Sequence, residues 1–382
     1  LDNCEHVIES ARMLVAELLR QVDGLVILTT SRRRLGLPEE RVHRLAPLAV
    51  TFSMGSGSPA AEVFADRVAR TVSDPPAMVS DPDTVAQICR HLAGIPLALE
   101  LAAPRVHLLG LTELQRQLES GRAPDADHDR ALEATVQWSL DLLGMDAREL
   151  FDEMCIFPAA FDIRALDAVT QVESPYGAFG ELVDASLVNV RVDEGRQTYQ
   201  ILEPIRQVGL QNVSEEIVEA YLIWVDDVTA SIEASWIEGR PAVAVERLVR
   251  VLDDVQQAWL LLENRNRHDE CELLARRVAL PLTIRPDVAL VSTILASEAT
   301  TGNGLMAHAS LAWGAGRPHD ALADVDRLLE IVPAADPLVP LAYWGSTPAC
   351  SFAGDAERMI RQGTLGFRHS AASPAARAYF AG

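Results

Sequence analysis

Three short stretches hold the residues whose types could do chemistry. Leu1-Asp2-Asn3 reads as the tail of a strand that ends in an acid. A carboxylate at such an edge can orient the water shell of a magnesium ion that bridges phosphates. Asp-Asn can equally cap the helix that follows. Thr29-Thr30-Ser31-Arg32 closes an apolar run, and Arg33 and Arg34 extend it. An arginine fork there can grip a phosphate through two parallel hydrogen bonds, or the three arginines can form a solvated charge run. Gly94-Ile95-Pro96 joins a residue that permits close backbone approach to one suited to the first turn of a helix.

Other chemistries lack their residues. The 382-residue sequence contains no lysine, so a G-x-x-x-x-G-K-[ST] phosphate loop cannot be written within it. His6, His43 and His91 show no metal-ligand spacing. Ser31 has no His-Asp context, and G-x-S-x-G is missing. Cys4, Cys89, Cys155, Cys271 and Cys350 are scattered and odd in number. They read as reduced thiols of a cytoplasmic protein rather than a disulfide or zinc framework. The net charge of -22 repels nucleic acid and anionic membranes. No apolar run approaches the roughly 20 residues that cross a bilayer, and no signal peptide is visible. The chain opens on Leu1, inside what reads as a motif, so an internal piece of a longer protein is expected.

The elements that must position these residues follow from periodicity. Glu5 to Gln21 has helical spacing, and Leu25 to Leu28 is a continuous apolar run, the pattern of a strand buried on both faces. Strand, helix, strand is the rhythm of a parallel α/β sheet, with a last short strand near Val42 to Leu45. Residues 51–59 read as a loop. Helices are predicted at 60–72, 82–93, 96–109 and 112–119, and a linker at 121–129. Further helices are predicted at 131–143, 146–155, 162–170 and 177–186. Then Leu187 to Val192 and Gln197 to Ile201 flank Asp193-Glu194-Gly195-Arg196, a β-hairpin signal, and a helix from Pro204 to about Asn212 follows. Helices followed by a two-stranded wing describe a winged helix. The remainder is helical: Ala309 to Pro333, turning at Gly316-Arg317, has the tetratricopeptide layout, echoed at Gly354-Asp355-Ala356.

The order of "LDNCEH", "TTSR", "HRLAPL", "GIPLALELAA", "ATVQWSLDLL" and "YQILEPIRQVG" resembles bacterial STAND-class ATPases. Within them it resembles the AfsR-like and large LuxR-type transcriptional regulators and related mycobacterial cyclase-fused proteins, whose nucleotide module is similar to NB-ARC. The resemblance is specific from Leu1 to about Asn212 and looser beyond. It implies the carboxyl-terminal part of a P-loop NTPase α/β core at 1–50 and an NB-ARC-like helical subdomain at 51–122. A winged helix at 130–213 and TPR-like repeats at 214–382 complete the expected order.

The resemblance also implies roles. Asp2 stands at the Walker B end and holds Mg2+ through water. Asn3 takes the place of a second acid and cannot act as a base, so hydrolysis is slow, that of a switch. Ser31 and Arg32 fall in sensor 1, with Arg32 reporting the γ-phosphate and Arg33 and Arg34 solvated. Gly94 and Pro96 match the GxP motif, whose proline packs on adenine; Pro104 departs from the pattern and implies a kink. Ile201-Leu202-Glu203 aligns loosely with the MHD position, but Leu202 cannot donate a hydrogen bond. Arg206 could substitute, unless it is held in a buried ion pair or exposed to solvent.

The expected function is an ATP/ADP-dependent signal-transduction switch in transcription control, with the P-loop outside this sequence. The alternative is a non-enzymatic repeat scaffold with a degenerate nucleotide site. Expected partners are a protein or small-molecule inducer on the repeats and further copies of the chain. DNA is expected only through a domain outside this chain, because Arg130 to Val213 carries six arginines against fourteen acids. No membrane partner is expected.

Overall fold

The computed structural model describes residues 1–2, 4, 7–31, 33–43, 45–50, 58–71, 81–120, 128–193 and 195–370. Among these the chain is mostly helical. Helix α1 (Ile8–Gln21) buries Ala11 and Val15 against Cys4 and Leu35. Beyond it the 25–30 stretch lies beside Leu1. Leu1 N donates to Leu28 O at 2.8 Å and Thr30 N to Leu1 O at 2.9 Å, the pattern of a parallel pair.

The sheet expected over 1–50 goes no further among the described residues. Val26 is 90% and Leu28 82% exposed, so the apolar run is not buried on both faces. Val42 and Leu45 lie in irregular, exposed backbone, and Arg44 lies outside the described residues. A parallel strand is buried only when it has neighbours on both edges and helices on both faces; among the described residues one partner segment and one helix are present here.

Helices α2 (Pro59–Thr71), α3 (Pro82–His91), α4 (Pro96–Ala102), α5 (Arg105–Leu109) and α6 (Leu111–Ser120) enclose Phe64, Ile88, Leu92, Leu99 and Leu114. Asp81 caps α3 by accepting from Thr84 N at 3.1 Å, with Pro82 in the first turn. The helix expected over 96–109 is two helices. Pro104 has no N–H for the Glu100 carbonyl, and its ring crowds that turn. Most of the expected loop at 51–59 and linker at 121–129 lies outside the described residues.

Helices α7 (His128–Asp141), α8 (Met145–Met154), α9 (Ile163–Val169) and α10 (Pro175–Asp184) lead into strands β1 (Asn189–Asp193) and β2 (Arg196–Gln200). The strands pair antiparallel, with Val190 opposite Tyr199. Phe161 adds a bridge to Tyr199, N to O at 2.9 Å one way and 2.8 Å the other. Helix α11 (Glu203–Leu210) follows.

The rest is helical: α12 (Glu215–Ile237), α13 (Pro241–Arg250), α14 (Leu252–Asn264), α15 (His268–Ile284), α16 (Val288–Ala296), α17 (Gly302–Gly314), α18 (Pro318–Ile331), α19 (Leu338–Ala353) and α20 (Ala356–Ser370). Helices α17 and α18 form a hairpin turning at Gly316, and α19 and α20 another turning at Gly354. Helix α17 packs on α15, α18 and α19, so each pair hides its apolar faces on its neighbours, as stacked repeats must.

One core runs from Leu101 to Leu311. It passes from the hairpin unit into the repeats at Phe157. That ring stacks on Phe161 at 4.5 Å and meets Tyr221 and Trp224 edge-on at 5.7 and 5.6 Å.

Asp254 of α14 sits in this core, buried, and accepts from the Tyr221 hydroxyl at 2.9 Å. Burial pushes its carboxyl up to about 7, although the Tyr221 hydrogen bond acts the other way. Asp254 therefore disfavours folding increasingly as pH rises from about 4, where the unfolded chain ionises, to about 7, and uniformly above that. Asp254→Asn keeps an acceptor for Tyr221 and cannot ionise. We expect it to raise the melting temperature by a margin that grows between pH 5 and 7. Identical melting curves for the two proteins across that range would contradict this.

Candidate functional site

The parallel pair sets the first part of the site. It places Asp2 just past Leu1 and beside the end of the 25–30 stretch. The Thr30 hydroxyl donates to Asp2 Oδ1, and Cys4 N donates to Thr30 O at 2.9 Å. Ser31 Oγ accepts from Arg33 N at 3.2 Å, which turns the chain directly after Thr30. Asp2, Thr30 and Ser31 are all exposed, so a carboxylate and two hydroxyls share one accessible edge. Asp2 is not the cap of α1: the cap position is Val7, which makes no side-chain cap hydrogen bond. Arg33 and Arg34 are exposed, as expected. Asn3 and Arg32 lie outside the described residues.

The second part is the α3–α4 junction. Gly94 has φ +65°, and its carbonyl accepts from Leu48 N at 2.9 Å. A Cβ built on Gly94 would lie 2.1 Å from Leu48 O, so only glycine fits. Pro96 opens α4 and is exposed, with Ile95 extended before it. The two parts rest on different cores, one around Cys4 and Leu35, the other around Phe64 and Leu99.

Arg206 is not available to a phosphate. It is buried, pairs with Glu203 at 2.7 and 3.2 Å, and donates to Cys155 O at 3.0 Å. Leu202 precedes it, partly buried against the core. Among the described residues no three or more acids, histidines and cysteines are grouped to hold a metal ion. No helix among them is long and apolar enough to cross a membrane.

Sequence reasoning missed the Thr30 hydroxyl as the partner of Asp2, although the Thr-Thr-Ser-Arg string contained it. It also missed Glu272, whose four hydrogen bonds fasten α15 to the start of α17. No local pattern marks that contact.

No family model matches the chain. An uncharacterized protein of Mycobacterium tuberculosis is 36% identical over 228 residues, a match covering 56% of this chain and 56% of the relative. A protein of Mycobacterium bovis matches to the same extent. A second M. tuberculosis protein, provisionally named an HTH-type transcriptional regulator, is 34% identical over 227 residues, covering 56% of this chain and 25% of its own length. The chain thus spans about half the length of the first relatives and a quarter of the last. Among solved structures, a Signal Transduction ATPase with Numerous Domains protein with a tetratricopeptide repeat sensor, from Pyrococcus horikoshii, is 13% identical. It overlays with a TM-score of 0.38, covering 90% of this chain and 57% of that one.

Proposed function

We propose that the chain is a section of an ATP/ADP-dependent signal-transduction switch in transcription control, with the helical repeats as its sensor. The observation that carries this reading is the exposed edge where Asp2 meets Thr30 and Ser31 at the ends of two parallel segments. The regulator name of the 34% identical relative points the same way.

The residues present fit one side of a magnesium nucleotide. Magnesium keeps several waters and is held by one or two carboxylates together with substrate phosphates; Asp2 supplies such a carboxylate, with Thr30 fixing its orientation. Gly94 and Pro96 supply a tight turn and an exposed ring at the start of α4, which suits the flat face of a base. The backbone cradle for the phosphates is not supplied by this sequence, which has no lysine. Domains fall in this reading at 1–50, 51–122, 130–213 and 214–382, with the third a winged helix that packs on its neighbours rather than on DNA. ATP and an inducer then favour one arrangement of these units and ADP another.

Calorimetry with ADP and ATP in magnesium tests this, on the chain and on a form extended at its amino end. The extended form should bind, and Asp2→Ala and Arg32→Ala should each weaken ATP at least about tenfold, or 1.4 kcal/mol, while ADP changes less. An extended protein indifferent to both nucleotides would remove the switch and leave the repeats as an interaction scaffold.

A further inference from the structure

A cavity of about 230 Å³ lies between α12, α15, α17, α18 and α19. Trp236, Leu280, Met306 and Trp313 give it apolar walls, and among the described residues no charged side chain lines it. Its hydroxyls are already committed as donors. Thr283 donates to Leu280 O at 2.7 Å, Ser310 to Met306 O at 2.9 Å and Ser346 to Tyr343 O at 2.8 Å. Their oxygens retain only acceptor capacity. Pro348, inside α19 and on the cavity wall, has no N–H for the Trp344 carbonyl one turn earlier.

These features define an occupant. An apolar cavity of about 150 Å³ admits benzene, so this one has room for two fused rings. A charged group would be stripped of water with no opposite charge to meet it. The wall hydroxyls accept hydrogen bonds, and Trp236 and Trp313, also on the wall, carry indole N–H donors. We propose that the cavity binds a small, neutral, largely apolar molecule of about bicyclic size. That this molecule is the signal rests on the sensor reading above; its binding does not.

β-Naphthol and β-naphthoate, the same rings with a neutral donor or a carboxylate, are the probes. Calorimetry on the whole chain should show one β-naphthol per chain and at least about tenfold weaker β-naphthoate. Gly345→Leu should fill the space: a Cβ at Gly345 meets only Met306 Cε, at 3.6 Å. It should weaken β-naphthol at least about tenfold with circular dichroism unchanged. Ala309→Leu does the same from α17. β-Naphthol should also raise the wild-type melting temperature where β-naphthoate does not, a readout independent of either variant's folding.

No β-naphthol binding up to its solubility, equal binding of the two probes, or undiminished binding by both filled variants overturns the assignment. A chain that binds β-naphthol while its extended form ignores nucleotide keeps this inference and loses the switch. The opposite pair of results keeps the switch and loses the inference.

Discussion

Gly94→Ala should destabilise the packing of residues 48–50 on α3 and α4 by about 3 kcal/mol. Two costs combine. A side chain at φ +65° costs about 1–2 kcal/mol. The added Cβ would also lie 2.1 Å from Leu48 O and 3.1 Å from Val50 Cγ1. Separating them breaks the Leu48 N to Gly94 O hydrogen bond, a further loss of about 1 kcal/mol. Gly354→Ala separates the two, because Gly354 has φ +76° with open space around it and so suffers the strain alone. Amide exchange at Leu48 reads the effect directly: it should accelerate in Gly94→Ala and stay at the wild-type rate in Gly354→Ala. Unchanged exchange at Leu48 in Gly94→Ala would show that the close approach contributes nothing.

Glu272→Ala should cost the repeats about 3–5 kcal/mol. Glu272 Oε1 accepts from Thr300 N at 2.7 Å and from the Thr300 hydroxyl at 2.8 Å. Oε2 accepts from Thr301 N at 2.8 Å and from the Thr301 hydroxyl. The carboxylate is buried, and a Cβ on Gly304 would touch it at 2.5 Å. Truncation leaves two backbone N–H groups and two hydroxyls without their acceptor, and hydrogen bonds to charged groups contribute about 1.5–3 kcal/mol each. Glu272→Gln keeps the shape but replaces one acceptor oxygen with a donor, so it should fall between the two. Urea unfolding followed by circular dichroism measures the order.

The same group sets an acid limit. Burial raises its pKa, but the hydrogen bonds from Thr301 and Thr300 together outweigh burial and hold it below its ordinary 4.5. Its contribution is therefore full above about pH 4.5 and fades as pH falls through the lowered value. The gap between wild type and Glu272→Ala should narrow in acid. A gap that is constant from pH 7 down to pH 3 would mean that the carboxylate charge is not what fastens α17.

Local signals explain what was legible in the sequence. Pro82 and Pro96 marked the starts of α3 and α4, Pro104 marked a break, and Asp193-Glu194-Gly195-Arg196 marked the turn between β1 and β2. Each is a property of a few neighbouring residues. The strand at Leu25 to Leu28 failed as a buried element because an apolar run records a tendency, whereas burial depends on partners elsewhere. At the candidate site, Asp2 and Ser31 lie at one exposed edge and Gly94 and Pro96 at one turn, while Asn3 and Arg32 lie outside the described residues. Glu272 and Asp254 were invisible for the opposite reason. Their partners are Thr300, Thr301 and Tyr221, chosen by helix packing that no local pattern encodes.

The Phe157 contact with Tyr221 and Trp224 makes α7 to α17 a single stiff beam. Packed cores do not bend continuously; they hold one arrangement or pass to another. A push on the far end, near Trp313, is then not absorbed around residue 213 but arrives at α7 as a rotation of the whole length. For a given angle about a pivot, the displacement at each end grows with its distance from that pivot. Leu101 of α4 belongs to the same core, so any pivot for that leverage has to lie outside α4 to α17.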